Sequence, residues 1–184
     1  MDSNGLQEAI VLRHSMGGKV ARQFAVNYPE RVQKLIVADI SPRSYAPHHQ
    51  DILAGLAAVD FTAKPSRGEV DTLLSSYVPD TMTRQFLLKS LYWKEPGQLS
   101  FRFNIEAFID NQEVIGEALA EGTKYEGQTL FLKGGNSNYI QEKDEVLIAS
   151  HFPKATVVEI SNAGHWLHAE NPKDFFNAVM QFIG

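Results

Sequence analysis

Three residue types, far apart in the chain, could together cleave an acyl bond. Ser15 lies in Leu12-Arg13-His14-Ser15-Met16-Gly17-Gly18, Asp39 opens Asp39-Ile40-Ser41-Pro42, and His165 lies in Asn162-Ala163-Gly164-His165-Trp166. A serine hydroxyl is a poor nucleophile near neutral pH. It needs an imidazole to take its proton, and that imidazole needs a carboxylate to fix its tautomer and stabilise its charge. Each residue also has a plainer reading. Ser15 could be a turn residue, Asp39 a cap before Ser-Pro, and His165 a structural histidine. What favours chemistry is that each falls just after a strand-like run, and loops at the carboxyl ends of parallel strands face one crevice.

The elements that must position them are legible as pattern. Ala9-Ile10-Val11-Leu12 is a short apolar run, and a helix-like stretch from Lys19 to Tyr28 follows Ser15. Strand, tight turn with Ser, then helix is the layout of a nucleophile elbow, which holds the Ser backbone at positive φ and lifts its Oγ above the sheet. The strand and helix backbones nearly touch there, so small residues are expected two positions to either side. Gly17 meets that need. Arg13 does not, and its long side chain is expected to displace a neighbour or relax the turn. The other histidines, His14, His48, His49, His151 and His168, read as surface or pocket-lining, with the His14 side chain pointing away from that of Ser15.

Further along, Lys34–Ile40 is a continuous apolar run, as in a strand covered on both faces. From about Pro47 to Gly127 the pattern turns helical and amphipathic. Ile52, Leu53 and Leu56 share a stripe with Val59, Ser66-x-x-Glu69 reads as a capping box, and Pro96-Gly97 centres a hairpin or irregular loop over Tyr92–Phe103. Gln128–Lys133 and Ala155–Ile160 read as strands, Glu142–Ser150 as a helix, and Pro172–Ile183 as a last helix with Phe175, Phe176, Val179 and Phe182 on its apolar face. Strands alternating with helices imply a parallel sheet with flanking helices. The expected division is 1–46 for the elbow strand, helix and acid strand, 47–127 for a helical lid insertion, and 128–184 for the rest of the core with the His loop.

Composition narrows the function. The chain has 184 residues, 43% hydrophobic and 21% charged, with a net charge of −5 and no Cys. There is no basic run to bind nucleic acid. Nothing approaches the ~18 apolar residues of a membrane span. Disulfides, thiolate metal sites and cysteine nucleophiles are excluded. The polar start, Met1-Asp2-Ser3-Asn4-Gly5, does not read as a signal peptide, and the expected location is cytoplasmic, with any targeting segment outside this chain.

Five ordered motifs carry a resemblance: Ser15-Met16-Gly17-Gly18, Asp39-Ile40-Ser41-Pro42, Arg84-Gln85-Phe86-Leu87-Leu88, Leu132-Lys133-Gly134-Gly135-Asn136-Ser137 and Asn162-Ala163-Gly164-His165-Trp166. Over nearly its whole length the chain resembles small α/β-hydrolase esterases of the YbfF type and their mitochondrial abhydrolase relatives. The order Ser, Asp, His is that of α/β-hydrolases. The resemblance implies a partial α/β-hydrolase fold with a helical lid, Asp39 as the acid, and an auxiliary hydrogen-bonding part for Ser137. It also implies hydrolysis of small acyl esters or thioesters with no metal and no organic cofactor. Relative to those proteins, several strands before the elbow are not in this chain, and with them the loop that supplies one oxyanion donor. The Met16 N–H is the donor that remains, and losing one such donor typically costs ~10²–10³ in turnover. The elbow strand would then be an apolar edge, expected to be covered by a second copy or another partner chain.

The expected function is therefore a serine hydrolase working through an acyl-enzyme on Ser15, with His165 as base and Asp39 holding the imidazolium. Trp166, Phe86 and Trp93 are expected to touch substrate, and the lid residues Phe86, Leu87, Tyr92, Trp93, Phe101 and Phe103 to form an acyl pocket or, equally, the lid's own core. Two alternatives stand beside this. One is a catalytically impaired relative that binds an acyl ligand or a protein. The other keeps the elbow but changes the reaction, to perhydrolysis or carbon–carbon hydrolysis, because a triad alone does not decide the reaction.

Overall fold

The chain's computed structural model describes residues 1–46 and 50–184. Pro47, His48 and His49, where the insertion was expected to begin, lie outside the described residues. The fold divides into two compact units, Met1–Ser44 with Glu117–Gly184, and Tyr45–Gly116.

The first unit is built on a four-stranded parallel sheet of β1 (Ala9–His14), β2 (Val32–Ala38), β5 (Gln128–Gly134) and β6 (Ala155–Ile160), in the order β1-β2-β5-β6. The strands β3 and β4 belong to the second unit. The apolar runs of β2 and β5 are covered on both faces, and the period of two divides their side chains. Ile36, Ala38, Leu130 and Leu132 face one way with Ile160 and Leu167, against Phe175, Val179 and Phe182 of α9 (Pro172–Ile183). Phe131 faces the other way onto Phe152, 5.3 Å between ring centroids, at the end of α7 (Glu145–His151). Val37 shares that side with α1 (Met16–Asn27). Phe176, grouped with the apolar face in the sequence, is 60% exposed: it is one residue from Phe175, about 100° around the helix.

Among the described residues β1 is an outer strand, half-buried and with Ile10 exposed. This explains how Arg13 fits the elbow. Its side chain lies on the exposed side of β1, its aliphatic stem runs beside Gly17, and Nη1 donates to the Leu12 carbonyl at 2.9 Å. The turn is not relaxed: Ser15 keeps φ of 51°. The tighter approach is at Gly18, where a Cβ would stand 2.7 Å from Ile40 Cγ2 and 3.0 Å from Val37 Cγ1.

The second unit carries α2 (Gln50–Ala57), α3 (Arg67–Ser75), α4 (Thr81–Leu88), α5 (Ile105–Asp110) and α6 (Gln112–Gly116). Its hairpin pairs β3 (Leu91–Glu95) with β4 (Gln98–Phe101), turning at Pro96-Gly97 with Gly97 at φ of 77°. Both bonds of the Ser66/Glu69 capping box form at the start of α3. The side chains expected to make an acyl pocket divide here. Leu87, Phe101 and Phe103 join Leu56, Val70, Leu74 and Val78 in this unit's own core, while Phe86 and Trp93 are exposed. The stretch from Glu117 to Gly127, read as part of the insertion, belongs to the first unit. Among the described residues no helix is long and apolar enough to cross a membrane.

Candidate active site

Three strand ends in the first unit meet at one point. Ser15 follows β1, and its N–H donates to the Ala38 carbonyl at 2.9 Å, so the ladder to β2 carries on past the strand into the turn. Its φ of 51° and ψ of −125° lie where an L-residue is strained; such strain costs on the order of 1–3 kcal/mol and persists only where the surroundings enforce it. Met16 is the first residue of α1, where a backbone N–H has no acceptor within the helix. Asp39 follows β2, also at positive φ (50°), and has no exposed surface.

The side chains form a relay. Ser15 Oγ stands 2.9 Å from His165 Nε2, and His165 Nδ1 stands 2.8 Å from Asp39 Oδ2. A carboxylate accepts, so Nδ1–H donates to Asp39, and Nε2 is left to accept from the Ser15 hydroxyl. The remaining capacity of Asp39 is filled by the Gly134 N–H at 3.1 Å and by the Ser137 hydroxyl on Oδ2. Ser137 thus bonds the carboxylate shared with His165. Three donors converge on one buried carboxylate, which holds it at a fixed angle to the imidazole.

The His165 loop is fixed from several directions. The Asn136 N–H donates to the Ala163 carbonyl at 2.9 Å. The Gly164 and Trp166 amides, on either side of His165, donate to the Glu170 carboxylate at 2.8 and 3.1 Å. Glu170 ends the short helix α8 (Leu167–Glu170). The Tyr139 ring stacks on the His165 imidazole at 4.1 Å, and Trp166 lies 5.7 Å from it. His14, expected at the surface or lining a pocket with its side chain away from that of Ser15, packs 4.6 Å from the His165 ring, with Nε2 at 2.7 Å from the His165 carbonyl. His151 is buried and bonds Thr123, away from this cluster, and His168 is exposed but edges onto His14 at 4.9 Å. No sequence pattern marks Glu170 or Tyr139 for this site, and for His14 the signal is its strand-end position beside Ser15. Phe86 and Trp93 belong to the second unit. Among the described residues no group of His, Asp or Glu side chains is arranged to hold a metal ion.

Two predictions arise here. A Cβ on Gly134 would stand 2.2 Å from the Gly164 carbonyl and 2.7 Å from that of Ala163. Backbone cannot swing aside as a side-chain tip can, so Gly134→Ala must push the His165 loop. It is expected to cost about 1–3 kcal/mol in a thermal or urea melt and to slow reaction at Ser15 by ~10². Unchanged melting and reactivity would contradict the close approach.

The second concerns His14, which burial, and secondarily the nearby His165, hold down from the usual 6.5 to about 4. Between those values the unfolded chain binds a proton that the native state does not, so stability rises with pH. The contribution is complete above about pH 6.5, is lost as pH falls toward about 4, and amounts to roughly 3 kcal/mol. Urea titrations of wild type and His14→Gln at several pH values should show a steeper acid loss in wild type; parallel curves would contradict it.

Comparison with known proteins gives the family. Residues 1–64 match the alpha/beta hydrolase fold family. The chain is 37% identical to the mouse (Mus musculus) sn-1-specific diacylglycerol lipase ABHD11 over 97% of its length, covering 60% of that protein. It is also 37% identical to a putative esterase/lipase of Haemophilus influenzae, covering 97% of this chain and 61% of that protein. A solved marine microorganism esterase superposes with a TM-score of 0.91 at 39% identity, over 98% of this chain and 72% of the other. The chain spans about 60% of the length of those two curated relatives. With the parallel sheet, the elbow and these likenesses together, the chain belongs to the α/β-hydrolase family.

Proposed function

We propose that the chain is a serine hydrolase of carboxylic esters or thioesters, acting through an acyl-enzyme on Ser15. The observation that carries this is the continuous relay from Ser15 Oγ through His165 to Asp39, at 2.9 and 2.8 Å. Relatives named as esterases and lipases support the same reaction class.

In this reading His165 Nε2 takes the hydroxyl proton as Ser15 Oγ attacks the acyl carbon. The Met16 N–H donates to the oxyanion that forms. The imidazolium, held by Asp39, returns its proton to the departing alcohol or thiol. Water then attacks the acyl-serine by the same base, and Ser15 recovers its proton. Ser137 and the Gly134 amide keep Asp39 in place through both halves. Trp166, beside His165, is the aromatic assigned to substrate contact.

The test is p-nitrophenyl butyrate hydrolysis, with acid-quenched samples analysed by mass spectrometry. Turnover with a butyryl group on the Ser15 peptide is expected. Turnover with no butyryl group on Ser15 would discard the acyl-enzyme. The same reading includes a second chain along the outer edge of β1, since unpaired strand edges associate. Light scattering that shows a stable monomer at micromolar concentration would remove that part alone.

A further inference from the structure

We propose that His14 is a positioning residue for His165: it ties the strand that ends at the nucleophile to the loop that carries the base. The inference rests on the hydrolase reading above, but its contact does not. His14 Nε2 lies 2.7 Å from the carbonyl oxygen of His165 itself. A carbonyl only accepts, so Nε2 carries the proton and Nδ1 does not. His14 is the last residue of β1 and the covalent neighbour of Ser15. Any movement of His165 away from Ser15 therefore strains this bond as well as the Ser15–His165 contact.

The surroundings suit that role. The loop from Ser161 to Trp166 is irregular, with no strand or helix ladder to hold it. The amides on either side of it are already held by Glu170, so His14 completes the fixing of the residue's backbone. The His14 ring adds contacts to His165 at 4.6 Å, Trp166 at 5.3 Å and His168 at 4.9 Å. Charge matters too. The ionisable groups facing His14 are His165, His168 and, farther off, Asp39. A second imidazolium at this distance would oppose protonation of His165 in mid-reaction. Burial keeps His14 neutral down to about pH 4, so it can hold the base without competing for its charge.

The experiment uses the whole chain as wild type, His14→Phe and His14→Gln. Phe keeps a ring and loses the donor; Gln keeps a donor. Nitrogen shifts of the wild-type ring should show Nε2 protonated and Nδ1 bare from about pH 5 to about 8. The opposite tautomer, with Nε2 bare, would overturn the proposal without any variant. The low-field proton of His165 Nδ1–H should broaden or vanish in His14→Phe and return in His14→Gln. Fluorophosphonate labelling of Ser15 should slow about tenfold in the Phe variant and recover to within about threefold in the Gln variant. A Phe variant with wild-type resonance and labelling rate would overturn the proposal. Failure of the hydrolase reading looks different: wild type would not label at all, while the tautomer and the low-field proton would still report the positioning contact.

Discussion

Ser15→Ala is expected to lower p-nitrophenyl butyrate turnover by ~10⁶, as removal of the nucleophile does in well-studied serine hydrolases. The change deletes one oxygen and leaves the Cβ, so the elbow keeps its shape and the loss is chemical. The backbone supplies a second, independent readout. At φ of 51° and ψ of −125° only glycine is at ease. Ser15→Gly should therefore raise stability by about 1 kcal/mol while being as inactive as the alanine variant. A gain in stability with loss of activity is the signature of strain kept for function. If Ser15→Ala retained hydrolysis, the nucleophile would lie elsewhere.

Asp39→Asn is expected to cost ~10⁴ in turnover. Asparagine is the residue best suited to replace aspartate at positive φ, so a mere turn residue would tolerate it. The donors around Asp39 do not. The Gly134 N–H, the Ser137 hydroxyl and His165 Nδ1–H all point at the carboxylate. An amide has one oxygen to offer. If its NH₂ faces Gly134, two buried donors oppose each other. If it faces His165, the imidazole must turn Nδ1 into an acceptor, and Nε2 then carries a proton where the Ser15 hydroxyl needs a base. Either arrangement also costs about 1–3 kcal/mol of stability. Turnover within about tenfold of wild type would show that Asp39 only shapes the turn.

Much of this was legible in the sequence because it is local. The elbow shows as an apolar run, a Ser and a helix start. The Ser66/Glu69 box is a four-residue signal, and Pro96-Gly97 marks its hairpin. The strands β2 and β5 announce themselves as apolar runs that both faces of a sheet must cover. What could not be read depends on contacts between distant segments. The His14–His165 bond spans 151 residues, and the alternation of a strand says only which face His14 takes. Glu170 reaches back over a loop that has no period. The aromatics of the second unit all look alike in a sequence, yet Phe101 and Phe103 join its core while Phe86 stays exposed. Arg13 looked like a defect because the elbow pattern assumes crowding on both sides, and here its own side is exposed.

The most direct measurement is reaction with a fluorophosphonate, followed by peptide mapping. It asks for an activated hydroxyl and does not depend on the substrate's acyl length. A single phosphonyl group on Ser15, lost when His165 is replaced by Ala, is the predicted result. An unlabelled native chain, or a label on any other residue, would contradict the account.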